Sequence, residues 1–332
     1  RVEPWPPSRS ANMGCFDPIR GWRSKTVNPE TGKRSVVFRR NEGFTDMEMT
    51  IPCGKCDGCA IDKAREWAVR CVGEASLYDK NCFVTLTYRD EDLPMDGSIH
   101  KGEIQSFMKA LRQHATREAE KKKQKPPVVR FFACGEYGDG MGRPHYHIAI
   151  FNWDFEDKYL WRLGNAKNRD PLYRSATLEK LWKHGFSTVG TVTVESASYI
   201  ARYVAKKLAG KNDRKRYLVG VDSEIDEDRE KEVEFGLMSR RPGIGADWFK
   251  KFKNDCRKDF LVIEGQKYPV PKYYRKMMEL YDERVAKKNK RERQRIRKEG
   301  EKRGEFTRQR LDQKEQILKQ KLKLLRRGAE NA

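Results

Sequence analysis

Short apolar runs with a two-residue period alternate along this chain with longer segments of helical period. Ala64, Trp67, Ala68, Cys71 and Ala75 recur at helical steps, which predicts a helix from about Asp62 to Tyr78. Cys82 to Tyr88 (CFVTLTY) is β-branched and aromatic and predicts a strand. Ile104, Phe107, Met108 and Leu111 line one face of a second helix. Val128 to Tyr137 and Pro144 to Phe151 predict two strands, joined as a hairpin by the Gly-rich stretch from Gly138 to Arg143. A short helix at Leu178 to His184, a strand at Phe186 to Val194 and a helix at Ser196 to Leu208 follow. A hairpin mixed with crossover helices predicts an α+β fold, with a central, mainly antiparallel sheet flanked by helices.

Around this centre the pattern weakens. Residues 1–12 are polar and Pro-rich and precede Met13, so they read as a non-native or disordered lead. Residues 13–80 form a Cys-rich N-terminal segment, whose stretch before Cys53 reads as irregular. Residues 81–272 form the main domain, interrupted by an acidic segment at 222–234 that reads as a solvated insert. Residues 273–332 read as a basic tail, helical or disordered, with few apolar anchors.

The formal net charge of +22 favours an acidic partner, nucleic acid foremost. Between Arg284 and Arg327 stand 19 basic and 6 acidic residues. The charge therefore marks a basic arm without defining a basic groove. That arm reads equally as a phosphate-binding element or as a solvated helix with internal ion pairs. No run of ~18 apolar residues occurs, so no transmembrane helix is expected.

Three groups carry candidate chemistry. His145 and His147 stand two apart on a strand and project side by side. If the hairpin closes at Tyr137 and Pro144, Glu136 lies opposite His145, and the three make a metal-ligand set with open positions. Two ordinary strand histidines are the alternative. Tyr199 and Tyr203 share one face of a helix, each with a basic residue three positions on, Arg202 and Lys206. Cations beside a phenol favour its nucleophilic form and neutralise a phosphodiester under attack. Taken alone, the same segment also reads as an amphipathic helix with aromatics in the core. Cys53, Cys56 and Cys59 repeat a C-x-x-C spacing, and Cys15 completes a four-thiolate set for a structural Zn²⁺, with a redox pair as the alternative. Cys71, Cys82, Cys134 and Cys256 fall in periodic apolar segments and read as core. Trp67, Trp153, Trp161 and Trp182 read mostly as core, with base stacking as the other reading.

Together these segments resemble the HUH endonucleases, in their two-tyrosine rolling-circle branch. Phe83-Val-Thr-Leu-Thr-Tyr88, Pro144-His-Tyr-His147 and Tyr199-x-x-x-Tyr203 carry that resemblance. Cys53-Gly-Lys-Cys56-x-x-Cys59, Gly135-Glu-Tyr-Gly138, Gly142-Arg-Pro-His-Tyr-His147 and Ser239-Arg-Arg-Pro-Gly-Ile-Gly245 narrow it to the replication initiators of gokushovirus-type microviruses. The resemblance implies Mg²⁺ or Mn²⁺ on His145, His147 and Glu136. It implies Tyr199 and Tyr203 as nucleophiles and Lys206 as a cation beside the phosphate. It also implies a 5′-phosphotyrosine intermediate, a free 3′-hydroxyl primer, and action at the origin of circular single-stranded or replicative-form phage DNA. Host helicase and polymerase in the bacterial cytoplasm would be the partners, with no membrane involved. Arg202, Lys207 and Arg143 are the expected nucleic-acid contacts. Arg202 stands where a lysine is expected, and arginine does not readily donate a proton. Three other readings stand beside this one: a plasmid-type initiator or relaxase, a non-catalytic DNA-binding protein, and a zinc hydrolase using His145, His147 and Glu136.

Overall fold

The structure is a computed structural model that describes residues 14–30, 32–138, 142–164, 170–208 and 231–329, with side chains of 202–208 and 321–329 outside the description. The expected lead at 1–12 lies outside the described residues. In chain order the elements begin with β1 (Ile19–Ser24), β2 (Val36–Val37), β3 (Gly43–Ile51) and α1 (Asp57–Ala75). Next come β4 (Asn81–Tyr88), α2 (Lys101–Lys121), β5 (Arg130–Tyr137) and β6 (Pro144–Phe151). After them come β7 (Tyr159–Arg162), β8 (Leu172–Arg174), α3 (Ala176–Leu181), β9 (Gly185–Gly190) and α4 (Val194–Leu208). The rest is β10 (Phe235–Met238), α5 (Ala246–Phe252), β11 (Phe260–Ile263), β12 (Gln266–Pro269), α6 (Lys272–Tyr281), α7 (Glu283–Lys302) and α8 (Arg308–Ala329).

The centre is a seven-stranded sheet in the order β10-β5-β6-β4-β9-β8-β7, antiparallel at every pairing. Strand alternation divides its side chains between two cores. Val84, Leu86, Tyr88, Tyr146, Ile148 and Ile150 face α2 and α3, meeting Ile104, Phe107, Leu111 and Leu178. Phe132, Cys134, Ala149 and Phe151 face the other way, against Ala64, Ala68 and Cys71 of α1 and Ala197, Ile200 and Ala201 of α4. Small residues on both α1 and α4 let the two helices pack closely over β5 and β6. A third cluster joins Val69 of α1 to Phe249, Cys256, Tyr274 and Met278. Each cysteine expected in the core, Cys71, Cys82, Cys134 and Cys256, is buried. Trp161 is not core: it stands exposed on edge strand β7.

Two sequence boundaries shift. Tyr274 and Met278 of α6 are buried, so the chain beyond residue 273 still contributes to the core, and the basic helices begin at α7. Of the acidic segment 222–234, only 231–234 is described. There Glu234 is buried and Val233 packs on the main core, because this stretch leads straight into β10 at the sheet edge. It is not solvated.

The Ser239–Gly245 motif serves as a structural clamp. Glu74 is buried and paired with buried Arg130 (2.5 Å), while its other oxygen accepts from the Gly245 amide at 2.6 Å. Arg130 donates onward to the Pro242 carbonyl (2.8 Å). Arg70 donates to the Ile244 carbonyl (3.0 Å), its guanidinium lying between the rings of Trp67 and Tyr273. Gly245 has φ +76°, and a Cβ there would stand 2.1 Å from the Tyr274 hydroxyl, so only glycine fits.

Candidate active site

The β5–β6 hairpin pairs Tyr137 with Pro144, Glu136 with His145 and Cys134 with His147. Glu136, His145 and His147 therefore share the sheet face that α4 covers, and their ligand atoms lie within 4.8 Å of one another. Glu136 Oε1 is 2.8 Å from His145 Nε2 and 3.0 Å from His147 Nε2. The far nitrogen of each ring is also held. His145 Nδ1 faces the Arg143 carbonyl at 3.0 Å, and His147 Nδ1 faces Thr85 Oγ1 at 2.9 Å. A carbonyl only accepts, so His145 Nδ1 carries a proton, which leaves Nε2 as the atom able to ligate. This is how a metal-binding imidazole is oriented through its outer nitrogen.

Electrostatics fits a cation. Burial opposes ionisation of Glu136, but hydrogen bonds from both histidines outweigh it and hold the carboxyl at about 2. Burial also opposes charge on His145, yet Glu136 raises its pKa above the usual value. For His147 burial wins and the pKa falls. Glu136 Oε2 is a buried atom with no hydrogen-bond partner. An ionised carboxylate oxygen left orphaned between two imidazoles is unfavourable unless a cation meets it. The three residues present thus fit a divalent metal.

Tyr199 on α4 completes the cleft. Its hydroxyl donates to Glu136 Oε1 at 2.8 Å, and its ring meets the edge of His147 at 4.9 Å between centroids. Ala197, Ile200 and Ala201 are buried on either side of it, so the amphipathic turn of α4 fixes where Tyr199 points. Tyr203, Lys206, Lys207 and Arg202 lie further along α4, and their side chains fall outside the description. Arg143 differs from expectation. Its guanidinium is turned to the Tyr88 carbonyl and Asp90, bracing the mouth of the hairpin, instead of standing free for a phosphate.

Two residues escape the sequence reading. Thr85 pairs across the strands with His147, a position that only the β4–β6 register reveals. Phe186 of β9 lies in one cross-sheet row with Thr87, His145 and Glu136. All four side chains point to one face. Phe186 is 60% exposed there. A lone aromatic at the start of a strand carries no motif; only the row marks it.

Comparison with known proteins places this architecture. The family model for replication-associated protein ORF2 matches residues 81–208, the stretch carrying β4 through α4. Replication-associated protein VP4 of Bdellovibrio phage phiMH2K is 32% identical over 293 residues, covering 84% of this chain and 84% of its own length. Replication-associated protein ORF2 of Spiroplasma virus 4 is 33% identical over 240 residues, covering 69% of this chain and 68% of that one. Replication-associated protein ORF4 of Chlamydia phage 1 is 31% identical, over 69% of this chain and 53% of its own length. No solved structure matches. The chain belongs to the family of microvirus replication-associated proteins.

Proposed function

We propose that this protein initiates rolling-circle replication of a phage genome as a metal-dependent, site-specific nickase and strand transferase of the HUH type. The reading rests on one observation: Tyr199 Oη donates to the carboxylate oxygen that both site histidines share. Glu136, His145 and His147 would hold Mg²⁺ or Mn²⁺. When bound, that ion supplies Lewis-acid neutralisation of the scissile phosphate.

The chain's own residues do the rest. Glu136 holds the Tyr199 hydroxyl at the metal site, but a carboxyl held at about 2 is too weak a base to take the proton of a phenol with a free pKa of ~10. Its role is therefore orientation, and the proton leaves to solvent. Tyr199 oxygen bonds to phosphorus, the bond from phosphorus to the 3′-oxygen breaks, and that oxygen takes up a proton. The products are a 5′-phosphotyrosine and a 3′-hydroxyl for the host polymerase and helicase. Tyr203, one helical turn on, would receive the strand end in the second transfer, with Lys206 and Arg202 as phosphate-side cations and Lys207 beside them. Single-stranded DNA would lie along the row from His145 to Phe186, where an exposed ring offers base stacking. The setting would be the bacterial cytoplasm, at the origin of circular single-stranded or replicative-form DNA.

The test uses single-stranded oligonucleotides tiled across the viral genome, incubated with the full chain and Mn²⁺. A denaturation-resistant adduct, mapped to Tyr199 or Tyr203, is the expected product. Cleavage without an adduct, surviving replacement of both tyrosines by phenylalanine, would instead identify a hydrolase.

A further inference from the structure

Away from the catalytic cleft, three segments bring four cysteines together. Cys15 comes from the stretch before β1, Cys53 and Cys56 from the loop between β3 and α1, and Cys59 from the first turn of α1. Their sulfurs all lie within 4.8 Å of one another. Four thiolates at Zn–S ~2.3 Å around one tetrahedral ion sit about 3.8 Å apart, so a small contraction seats a single ion.

The backbone is arranged for thiolates. Amides of Lys55 and Cys56 donate to Cys53 Sγ at 3.4 and 3.3 Å. The Cys53 amide donates to Cys15 Sγ at 3.2 Å, and the Phe16 amide to Cys56 Sγ at 3.3 Å. A neutral thiol sulfur is a weak acceptor, whereas a charged one is a strong acceptor. Gly54, at φ +74°, lets the loop curl so that consecutive amides point inward at Cys53. Cys56 caps α1 and Cys59 lies in its first turn, where the positive end of the helix favours negative charge. Four converging thiolates without a cation would repel one another.

We propose that Cys15, Cys53, Cys56 and Cys59 bind one structural Zn²⁺ that clasps the N-terminal segment onto α1 and so fixes the helix on which the tyrosine helix rests. The contact it secures is intimate. A Cβ on Gly58 would fall 1.2 Å from the Gly14 carbonyl oxygen, so the two backbones touch directly. Asp62 accepts from the Gly14 amide at 3.1 Å, and Phe16 is buried. Asp17 pairs with Arg308 of α8 at 3.0 Å, and Arg297 of α7 donates to the Thr50 carbonyl at 3.0 Å. The clasp thus holds the point where the first and last described parts of the chain meet. It lies at the N-terminal end of α1, the same helix whose Ala64, Ala68 and Cys71 pack with Ala197, Ile200 and Ala201. With all four positions taken by sulfur the ion has no open site, so its role is to position and not to react.

The test is metal analysis of the full chain, purified without chelator. We expect one zinc per chain. After exchange, Co²⁺ should give the sulfur-to-metal charge-transfer band and intense visible bands of a tetrathiolate. The spectrum should persist in a His145→Ala/His147→Ala variant, which separates this site from the catalytic one. It should vanish in Cys56→Ser/Cys59→Ser. Stripping with a chelator should speed amide exchange in the first turns of α1 and in α4. The proposal is overturned if the wild-type chain carries no zinc, if the chain carries iron in its place, or if its Co²⁺ spectrum shows only nitrogen and oxygen ligands. Two disulfides found among these cysteines would overturn it as well. None of these results bears on whether the chain nicks DNA.

Discussion

The Tyr199 hydroxyl stands 2.8 Å from Glu136 Oε1, an oxygen already shared by His145 and His147. One oxygen thus ties the candidate nucleophile, carried by α4, to the candidate metal ligands, carried by β5 and β6. Tyr199→Phe should remove the first cleavage by at least ~1,000-fold, because it deletes the attacking atom and leaves the ring contact with His147 in place. Tyr203→Phe should still form the adduct on a linear origin strand but fail to join a second strand. An adduct undiminished in Tyr199→Phe would move the first attack elsewhere.

Thr85 offers a more selective probe. It touches His147 through Nδ1, not through the nitrogen that faces Glu136. Thr85→Val keeps the shape and removes the hydroxyl that fixes the ring. Mn²⁺ affinity, followed by calorimetry, should weaken ~10–100-fold, the usual effect of losing such an outer partner. An unchanged affinity would mean that Thr85 only packs.

Protons and metal should compete at this site. The raised pKa of His145 means it holds a proton above its ordinary value near 6.5. That proton stabilises the metal-free fold at low pH, and the contribution fades as pH rises through the folded-state pKa. The lowered pKa of Glu136 has the opposite sense: its contribution is complete above ~4.5 and disappears towards pH 2. Bound metal must displace the His145 proton. Apparent Mn²⁺ affinity should therefore climb from pH 6 to pH 8, with release of about one proton near pH 6.5. Calorimetry in buffers of different ionisation enthalpy reads that number directly, and a value of zero would contradict the ligand role of His145.

How much of this was legible from sequence follows from burial. Strands β4, β5 and β6 each bury at least one face against a helix layer, so their patterns announce strands, and with the hairpin closed the Glu136–His145 pairing follows. The elements missed have little buried surface. β1 and β3 alternate weakly because most of their side chains are exposed, and β7 is exposed along its whole length. β10 was hidden by the acidic stretch before it, since Glu234 looks like a surface residue until the Tyr137 amide is seen donating to it. Helix α6 was assigned to the tail for a similar reason: its polar composition conceals the buried pair Tyr274 and Met278.

Glu74 tests the clamp behind the site. It is a buried charge satisfied by Arg130 and by the Gly245 amide. Glu74→Ala leaves Arg130 buried without its partner, so unfolding in urea should show a loss of ~3–5 kcal/mol. A loss under about 1 kcal/mol would mean that water reaches Arg130 and the clamp adds little.

Phe186 separates substrate binding from folding. Its ring is exposed and lies in the row that holds His145 and Glu136, so it contributes little to the core and is free to meet a base. Removing a stacking ring from a single-strand site weakens binding by ~1–3 kcal/mol per base, which is roughly 5- to 150-fold in Kd. Phe186→Ala should produce a loss in that range for single-stranded origin DNA, measured by fluorescence anisotropy at fixed salt. Its melting temperature should stay within a degree or two of wild type, since surface substitutions shift stability by less than ~0.5 kcal/mol. Phe186→Trp should retain or strengthen binding, because a larger ring stacks on any base. If alanine binds as tightly as phenylalanine while tryptophan changes nothing, the DNA does not cross β9, and the substrate path must leave the metal site on the side of β5 and β10.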